Sequence, residues 1–441
     1  MSRAQNLGSI STRLRRIARL AREAADRCFV SLAHNIDYYF LQEAYARTRK
    51  DGAPGVDKQT AAEYAANLGE NLRSLLDRFK SGRYKAPPVL RAHLPKGDGT
   101  TRPIGIPTFE DKILQRAVQM VLEPLYEQDF KDFSYGFRPG RGPHQALQDL
   151  RDGLMGMGGG WVLEVEIRNF FEELDHRHLH EFLDRRVRDG VLRRAIGKWL
   201  KAGVMEEKVL YHRTQGTPQG GVISPLLANI YLHEVVDRWF DEVVRSRLRG
   251  RGLIYRYADD VVMAFELKHD AERVRKALAG RLERFGLRLH PEKTRLVRFQ
   301  RPAGSYRPGR DQRPGSFSWL GFTHYWAKSR RGNWVVMRKT DRKRLSRALR
   351  EIGEWCRRHR HRKVSWQRAK LAEKLRGHYA YYGITGNSRS LSRFRHWVER
   401  IWRKWLNRRS QRKRMPWERF RALLRYHKLP QERIVHRYAR A

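Results

Sequence analysis

Leu253-Ile254-Tyr255-Arg256-Tyr257-Ala258-Asp259-Asp260-Val261-Val262-Met263-Ala264-Phe265 is two apolar runs joined through Ala258-Asp259-Asp260. Runs of this length and composition around a short polar break predict a β-hairpin. About ninety residues upstream, Trp161–Ile167 alternates apolar and acidic residues. Period-two spacing therefore sets Glu164 and Glu166 on one face of a strand and Leu163, Val165 and Ile167 on the other. Between these strands lie a helix near His178 and an apolar helix after the Gly216–Gly221 run. A further helix over 271–285 and a strand near Leu296 complete an α+β sheet domain. Adjacent aspartates at a turn are ordinarily solvated. Here apolar strands flank them, and a second acidic strand is available. Carboxylates converging from two strands provide the hard oxygen ligands that hold two divalent ions about 3.5–4 Å apart.

Outward from that centre, residues 1–75 read as a helical extension. Leu14, Ile17, Ala18 and Ala21 form its apolar stripe, flanked by Arg13, Arg15, Arg16, Arg19 and Arg22. Two short apolar runs between Val89 and Ile106 flank Lys96-Gly97-Asp98-Gly99-Thr100, whose Asp-Gly pair marks a hairpin tip carrying Lys96 and Arg102. Residues 110–155 read as helices interrupted at Ser134–Gly142. Gly156–Gly160 is no phosphate loop, because no Gly-Lys-Ser/Thr follows it.

Charge narrows the function. The 441 residues carry 93 Lys+Arg against 47 Asp+Glu, a formal net charge of +46, with 40% hydrophobic residues. That is enough apolar content for folded cores and enough positive charge to expect a polyanion partner, since neutralised phosphates release counterions. Residues 326–441 hold 37 basic and 7 acidic side chains together with eight of the twelve tryptophans, many interleaved with arginine. This quarter of the chain reads as a basic helical RNA-binding domain. Arg376, His378, Trp402, Arg403 and Lys404 are its candidate RNA-contacting residues. No segment approaches the roughly 20 apolar residues of a membrane span, so no membrane partner is expected. Two cysteines, Cys28 and Cys356, fit a reducing compartment and are too few for a zinc-bearing endonuclease. The expected location is cytoplasmic, in a bacterial, nucleoid- or RNP-associated setting.

Tyr257-Ala258-Asp259-Asp260 resembles the active-site box of reverse transcriptases in the form usual for group II intron-encoded proteins. Six further blocks of that family appear in order: Lys96–Pro107, Tyr135-Gly136-Phe137-Arg138-Pro139, the strand at Glu166 with Phe170-Phe171, Gly216–Pro225, Pro291-Glu292-Lys293-Thr294, and Trp319-Leu320-Gly321-Phe322. Leu375 to Gly383 is similar to the family's thumb or maturase segment. The resemblance covers about residues 50–390. It implies a right-hand polymerase of fingers, palm and thumb with an RRM-like antiparallel palm sheet and a basic α-helical maturase domain. The expected divisions are 1–75, 76–325 and 326–441. It implies RNA-directed DNA synthesis with two Mg2+ ions, Mn2+ as a possible substitute, and dNTPs, a DNA primer or target and group II intron RNA as partners. The oligomeric state is left open. Asp259, Asp260 and Glu166 would be the catalytic metal ligands. Lys96 and Arg102 would clamp the triphosphate, Gln219 and Gly220 would line the base-pair pocket, Phe171 would exclude a ribose 2′-hydroxyl, and Lys293 would assist the leaving group.

One departure matters: Glu166 stands where the family has aspartate, as does Glu172. The extra methylene displaces a carboxylate by roughly 1–1.5 Å, and misplacement on that scale costs about 100-fold in rate. Polymerase activity is therefore expected to persist but to be weakened. The alternatives are a splicing maturase whose polymerase centre has decayed, and a reverse transcriptase recruited to another host role. Asp175-His176-Arg177-His178-Leu179-His180 looks metal-like, yet it offers no third ligand, and Asp175 is placed as a helix cap.

Overall fold

The computed structural model describes residues 3–95, 101–206, 209–211, 215–216, 220–303, 314–410 and 415–437, with side chains from residue 7 on. Lys96 and Gln219 lie outside the described residues. The chain forms two compact units, Met1–Ala146 with Val165–Val261 and Glu272–Thr294, and Leu147–Glu164 with Val262–Ala271 and Arg295–Ala441.

The first unit is built on a long helix, Phe109–Tyr126, which Thr108 starts by accepting the Asp111 backbone N–H. Ile113, Leu114, Ala117, Val118, Val121 and Leu125 recur at helical spacing and are fully buried. The helix Arg3–Glu23 packs on it, burying Ile17 and Ala21 and leaving Arg15, Arg16, Arg19 and Arg22 exposed. The helix Tyr38–Arg47 packs on it too. Because their apolar stripes have no other core to enter, the N-terminal helices belong to this unit and do not stand apart from it.

Two further sheets involve residues of the first unit. Strands β1 (Val89–Pro95) and β2 (Thr101–Ile106) form the antiparallel hairpin expected, with Leu94 opposite Arg102. With β4 (Val204–Glu206) and β5 (Val209–Tyr211) they make a four-stranded sheet ordered β2-β1-β4-β5. The second sheet runs β6-β7-β3-β8, from β3 (Trp161–Arg168), β6 (Gly252–Tyr257), β7 (Asp260–Phe265) and β8 (Arg288–Leu289). The helix Ser224–Leu232 is buried except at Pro225 and is continued as a π-helical turn over His233–Asp237.

In the second unit, β9 (Arg295–Arg298) pairs with the first half of β3, and Glu164 accepts hydrogen bonds from Arg295 Nη2 at 2.7 Å and from the Ser318 backbone at 3.0 Å. Strands β10 (Ser316–Trp319), β11 (Phe322–Lys328) and β12 (Trp334–Thr340) form an antiparallel meander. Helices Arg342–Arg358, Val364–Tyr382, Ser388–Asn407 and Trp417–Tyr426 follow, the first capped by Asp341. Their shared core is Ile352, Cys356, Leu371, Leu375, Leu391, Phe394, Val398, Trp402 and Phe420.

Two expectations about RNA-facing residues are corrected here. Trp402 is fully buried, its indole N–H donating to Gln367 Oε1 at 2.9 Å, so it is a core residue. His378 is stacked on Phe394 at 3.7 Å between ring centres and packs against Tyr382, and burial lowers its pKa to about 4. Both follow from period: residues at core spacing on an amphipathic helix go inward whatever their neighbours' charge. Arg403 is half-buried, donating to the Met415 carbonyl at 3.0 Å and lying 4.1 Å from the Trp417 ring centre. Arg376 and Lys404 are exposed.

Candidate active site

The turn between β6 and β7 places Asp259 and Asp260 at one end of the sheet. Ala258 takes a left-handed conformation with φ 57°, unusual for a residue with a Cβ. Asp259 is half-buried and Asp260 is exposed at the first position of β7. Burial pushes the Asp259 carboxyl above the usual range; Arg102 opposes the rise and the Glu166 charge adds to it. Those two influences locate the neighbours: the cation of the β1–β2 hairpin and the acid of β3 both lie within electrostatic reach of Asp259.

Glu166 has different partners from Glu164. Glu164 is buried in a structural bonding set, whereas Glu166 is half-exposed and accepts from Lys293 Nζ. The His290 backbone N–H donates to the Glu166 carbonyl at 2.8 Å, which holds the 290–294 turn beside β3 and delivers Lys293. An ion pair with one third and one half of its side chains exposed is worth at most about 1 kcal/mol.

Close backbone approaches bring the other sequence blocks together. A Cβ on Gly220, whose φ is 122°, would meet the Gly105 carbonyl oxygen at 2.6 Å, so Gly220 packs directly on Gly105 of β2. The Gly216 N–H donates to the Leu174 carbonyl at 2.8 Å, and His176 bonds the Gly216 carbonyl, fixing Gly216 just after the Phe170–Glu173 helix. Phe171 is half-buried on this helix, its ring edge-on to Phe170. His176, then, braces a loop, His180 bonds Arg193, and Asp175 caps the helix His176–Asp184. The metal-like histidine run is structural.

Sequence reasoning passed over the residues beneath the turn. Arg256, fully buried, forms a bidentate ion pair with Asp237, itself fully buried. Its second terminal nitrogen donates to Asn229 Oδ1 at 2.9 Å and to the Ala258 carbonyl at 3.1 Å. The available signal was a charged residue inside each of two apolar runs, since arginine and aspartate are almost never fully buried unless paired.

Among the described residues, no three His, Cys, Asp or Glu side chains gather as a metal cluster. The acids that do approach one another, Asp259 and Glu166, offer the carboxylate oxygens that magnesium and manganese prefer, with Asp260 adjacent in the chain. By donor chemistry they fit divalent ions.

An acidic turn beside an acidic strand is an arrangement that template-directed polymerases use to hold divalent ions. The reverse transcriptase (RNA-dependent DNA polymerase) family matches residues 94–324, and the group II intron maturase-specific domain matches residues 345–426. The chain belongs to the group II intron reverse transcriptase/maturase family. It is 36% identical over 273 residues to protein YkfC of Escherichia coli (strain K12), covering 55% of this chain and 72% of that protein. It is 37% identical over 228 residues to the group II intron-encoded protein LtrA of Lactococcus lactis subsp. cremoris, covering 50% of this chain and 37% of LtrA. A putative COX1/OXI3 intron 1 protein of Saccharomyces cerevisiae is 27% identical over 322 residues, 61% of this chain and 37% of the yeast protein. The alignments thus span little more than a third of the lengths of LtrA and the yeast protein. Together the two domains support RNA-directed DNA polymerase and splicing-maturase function, with intron RNA as a partner. No helix among the described residues is long and apolar enough to cross a membrane.

Proposed function

We propose that this protein extends a DNA primer on an RNA template at the site built around Asp259, with residues 1–75 an N-terminal helical extension, residues 76–325 supplying fingers and palm, and residues 326–441 a thumb and maturase surface that grips group II intron RNA. The observation that carries the reading is the β6–β7 turn, which sets Asp259 and Asp260 on the sheet in which β7 pairs with β3, the strand of Glu166. Two divalent ions, magnesium or manganese, supply the positive charge that such a reaction requires at the primer hydroxyl and the leaving pyrophosphate. Asp259, Asp260 and Glu166 would hold them.

The chain's own residues do the positioning. Arg102, with Lys96, meets the triphosphate of an incoming dNTP. Phe171 walls off a 2′-hydroxyl, and Gly220, with Gln219 beside it, lets the base pair approach the backbone closely. Lys293 holds Glu166 until substrate arrives and then serves the leaving group. The longer glutamate arm reaches Lys293. The test is primer extension on an RNA template in magnesium and in manganese: activity clearly above that of Asp259→Asn supports the reading, and equality with it in both metals overturns it.

A second reading, an RNA-binding maturase with a decayed polymerase centre, draws on the Glu166–Lys293 pairing. Glu166→Asp separates the two. A gain of about 100-fold points to a decayed centre, and no gain to an accommodated one.

A further inference from the structure

The acids of the active-site turn are joined through the backbone to an ion pair that lies entirely inside the protein. Arg256 Nε and Nη2 donate to the two carboxylate oxygens of Asp237, and Nη1 donates to Asn229 Oδ1 and to the Ala258 carbonyl. Asn229 Nδ2 in turn donates to the Gly136 carbonyl at 2.7 Å. The residues flanking Gly136 are laced to the same strand: the Tyr135 N–H donates to the Arg256 carbonyl at 2.9 Å, and the Arg256 N–H to the Phe133 carbonyl at 2.8 Å. Gly136 lies against the turn so closely that a Cβ there would come within 2.3 Å of the Ala258 nitrogen.

We infer that Asp237, Arg256 and Asn229 are positioning residues for nucleotide addition, holding Ala258 in its left-handed conformation so that Asp259 presents its carboxylate in a fixed place. This rests on the polymerase reading above. Three observations argue for it independently of that reading. A residue with a Cβ persists at positive φ only where its surroundings over-determine it, and here a guanidinium bonds its carbonyl from one side while a glycine backbone abuts its nitrogen from the other. The network is also aimed: of Arg256's three nitrogens, two are spent on Asp237, and the third divides between Asn229 and the turn. Finally, the helix is wound to suit it. In an unbroken α-helix, Asn229 and Asp237 would stand about 80° apart around the axis. The π-helical turn over His233–Asp237 rotates less per residue and brings Asp237 back toward the line of Asn229.

Arginine is required for this geometry because lysine cannot bond a carboxylate in fork fashion and reach a second pair of acceptors as well. Arg256→Lys keeps a positive charge beside Asp237 and loses the bonds to Asn229 and Ala258. Asn229→Ala keeps the ion pair and the bond to the Ala258 carbonyl, and loses both the acceptor for Arg256 Nη1 and the strut to Gly136. Both are measured in the full-length protein by single-nucleotide incorporation on a preformed RNA-template/DNA-primer complex, with dNTP and magnesium titrations, template–primer affinity and thermal melting alongside.

The expected result for Arg256→Lys is an incorporation rate about 10–100-fold lower, with the magnesium concentration for half-maximal rate raised several-fold and dNTP KM and template–primer affinity within about threefold of the natural protein. Asn229→Ala should lose rate in the same sense. The double variant should be no slower than about twice the worse single, because residues acting as one unit are not additive. Rate and magnesium midpoint unchanged in a folded variant overturn the inference, as does a rate loss matched by equal losses of melting temperature and template affinity. Fully multiplicative losses in the double variant overturn it also. If Arg256→Lys fails to fold, Asn229→Ala alone decides by the same readouts. A natural protein that incorporates no nucleotide in magnesium or manganese overturns the polymerase reading and this inference with it, whereas an active natural protein with an unchanged, folded Arg256→Lys variant overturns the inference alone.

Discussion

Arginine does two different jobs in the two units. In the first it is paired and turned inward: Arg256 with Asp237, Arg138 with Glu127, Arg186 with Asp129, each side chain at most 8% exposed on the arginine. In the second, cations outnumber anions and lie over aromatic faces: Arg362 over Trp366, Lys374 over Trp355, Arg400 over Trp397, Lys404 and Arg408 over Trp405. A buried arginine with a carboxylate fixes geometry, because the fork allows one arrangement and an unpaired charge is costly. A cation on an indole at the surface stays available to phosphate while its stem covers apolar surface. The same residue type thus serves alignment in one place and affinity in the other.

That contrast breaks if tryptophan burial in the second unit does not track role. Trp402→Ala should cost about 3–5 kcal/mol of stability by thermal or denaturant unfolding, the size of a large aromatic deletion in a packed core. Trp397→Ala, with 40% of the residue exposed, should cost under 1 kcal/mol and lower RNA affinity instead. In the first unit, Asp259→Asn should reduce primer extension by at least about 100–1000-fold while leaving RNA binding within about twofold; equal loss of both would erase the division of labour.

A pH experiment probes the inward-facing charges. Asp111 is buried, receives the Tyr84 hydroxyl, and is pushed up to about 7 chiefly by desolvation. A carboxyl that binds its proton more tightly folded than unfolded contributes stability that is present below about pH 4 and is lost as pH rises toward 7. Asp111→Asn should therefore flatten the fall in stability between pH 4 and 7 and stabilise the protein at pH 8 by on the order of 3 kcal/mol. Melting curves across that range check it; an unchanged slope places the pH dependence elsewhere. The smallest effect concerns the outward cations: each of Arg400, Lys404 and Arg408 replaced by alanine should lower the salt slope of RNA binding by about one unit if it meets a phosphate, whereas Arg102→Ala should barely change it.

Much of the site was legible because its residues are unusual where they stand. Adjacent aspartates between apolar runs, an acid on an alternating strand and an Asp-Gly hairpin with flanking cations each announce themselves at short range. The RNA-facing residues were less legible. Trp402 and His378 looked like part of a basic aromatic surface, and only helical phase, read against the partner helices, sends them inward. The network under the turn was least legible, since Gly136, Asn229, Asp237 and Arg256 are separated by up to 120 positions and no local pattern joins them.

By itself the sequence determined the strands, the acidic turn, the ordered blocks of the family and the concentration of positive charge in residues 326–441, because periodicity, turn chemistry and composition are local properties of a chain. Tertiary structure alone decided that Glu166 pairs with Lys293, that Glu164 is a structural bond to Arg295, and that a buried arginine holds the turn on which Asp259 stands. Those are contacts between distant segments, and the free energy that selects them exists only once the chain has folded and water has been excluded between them.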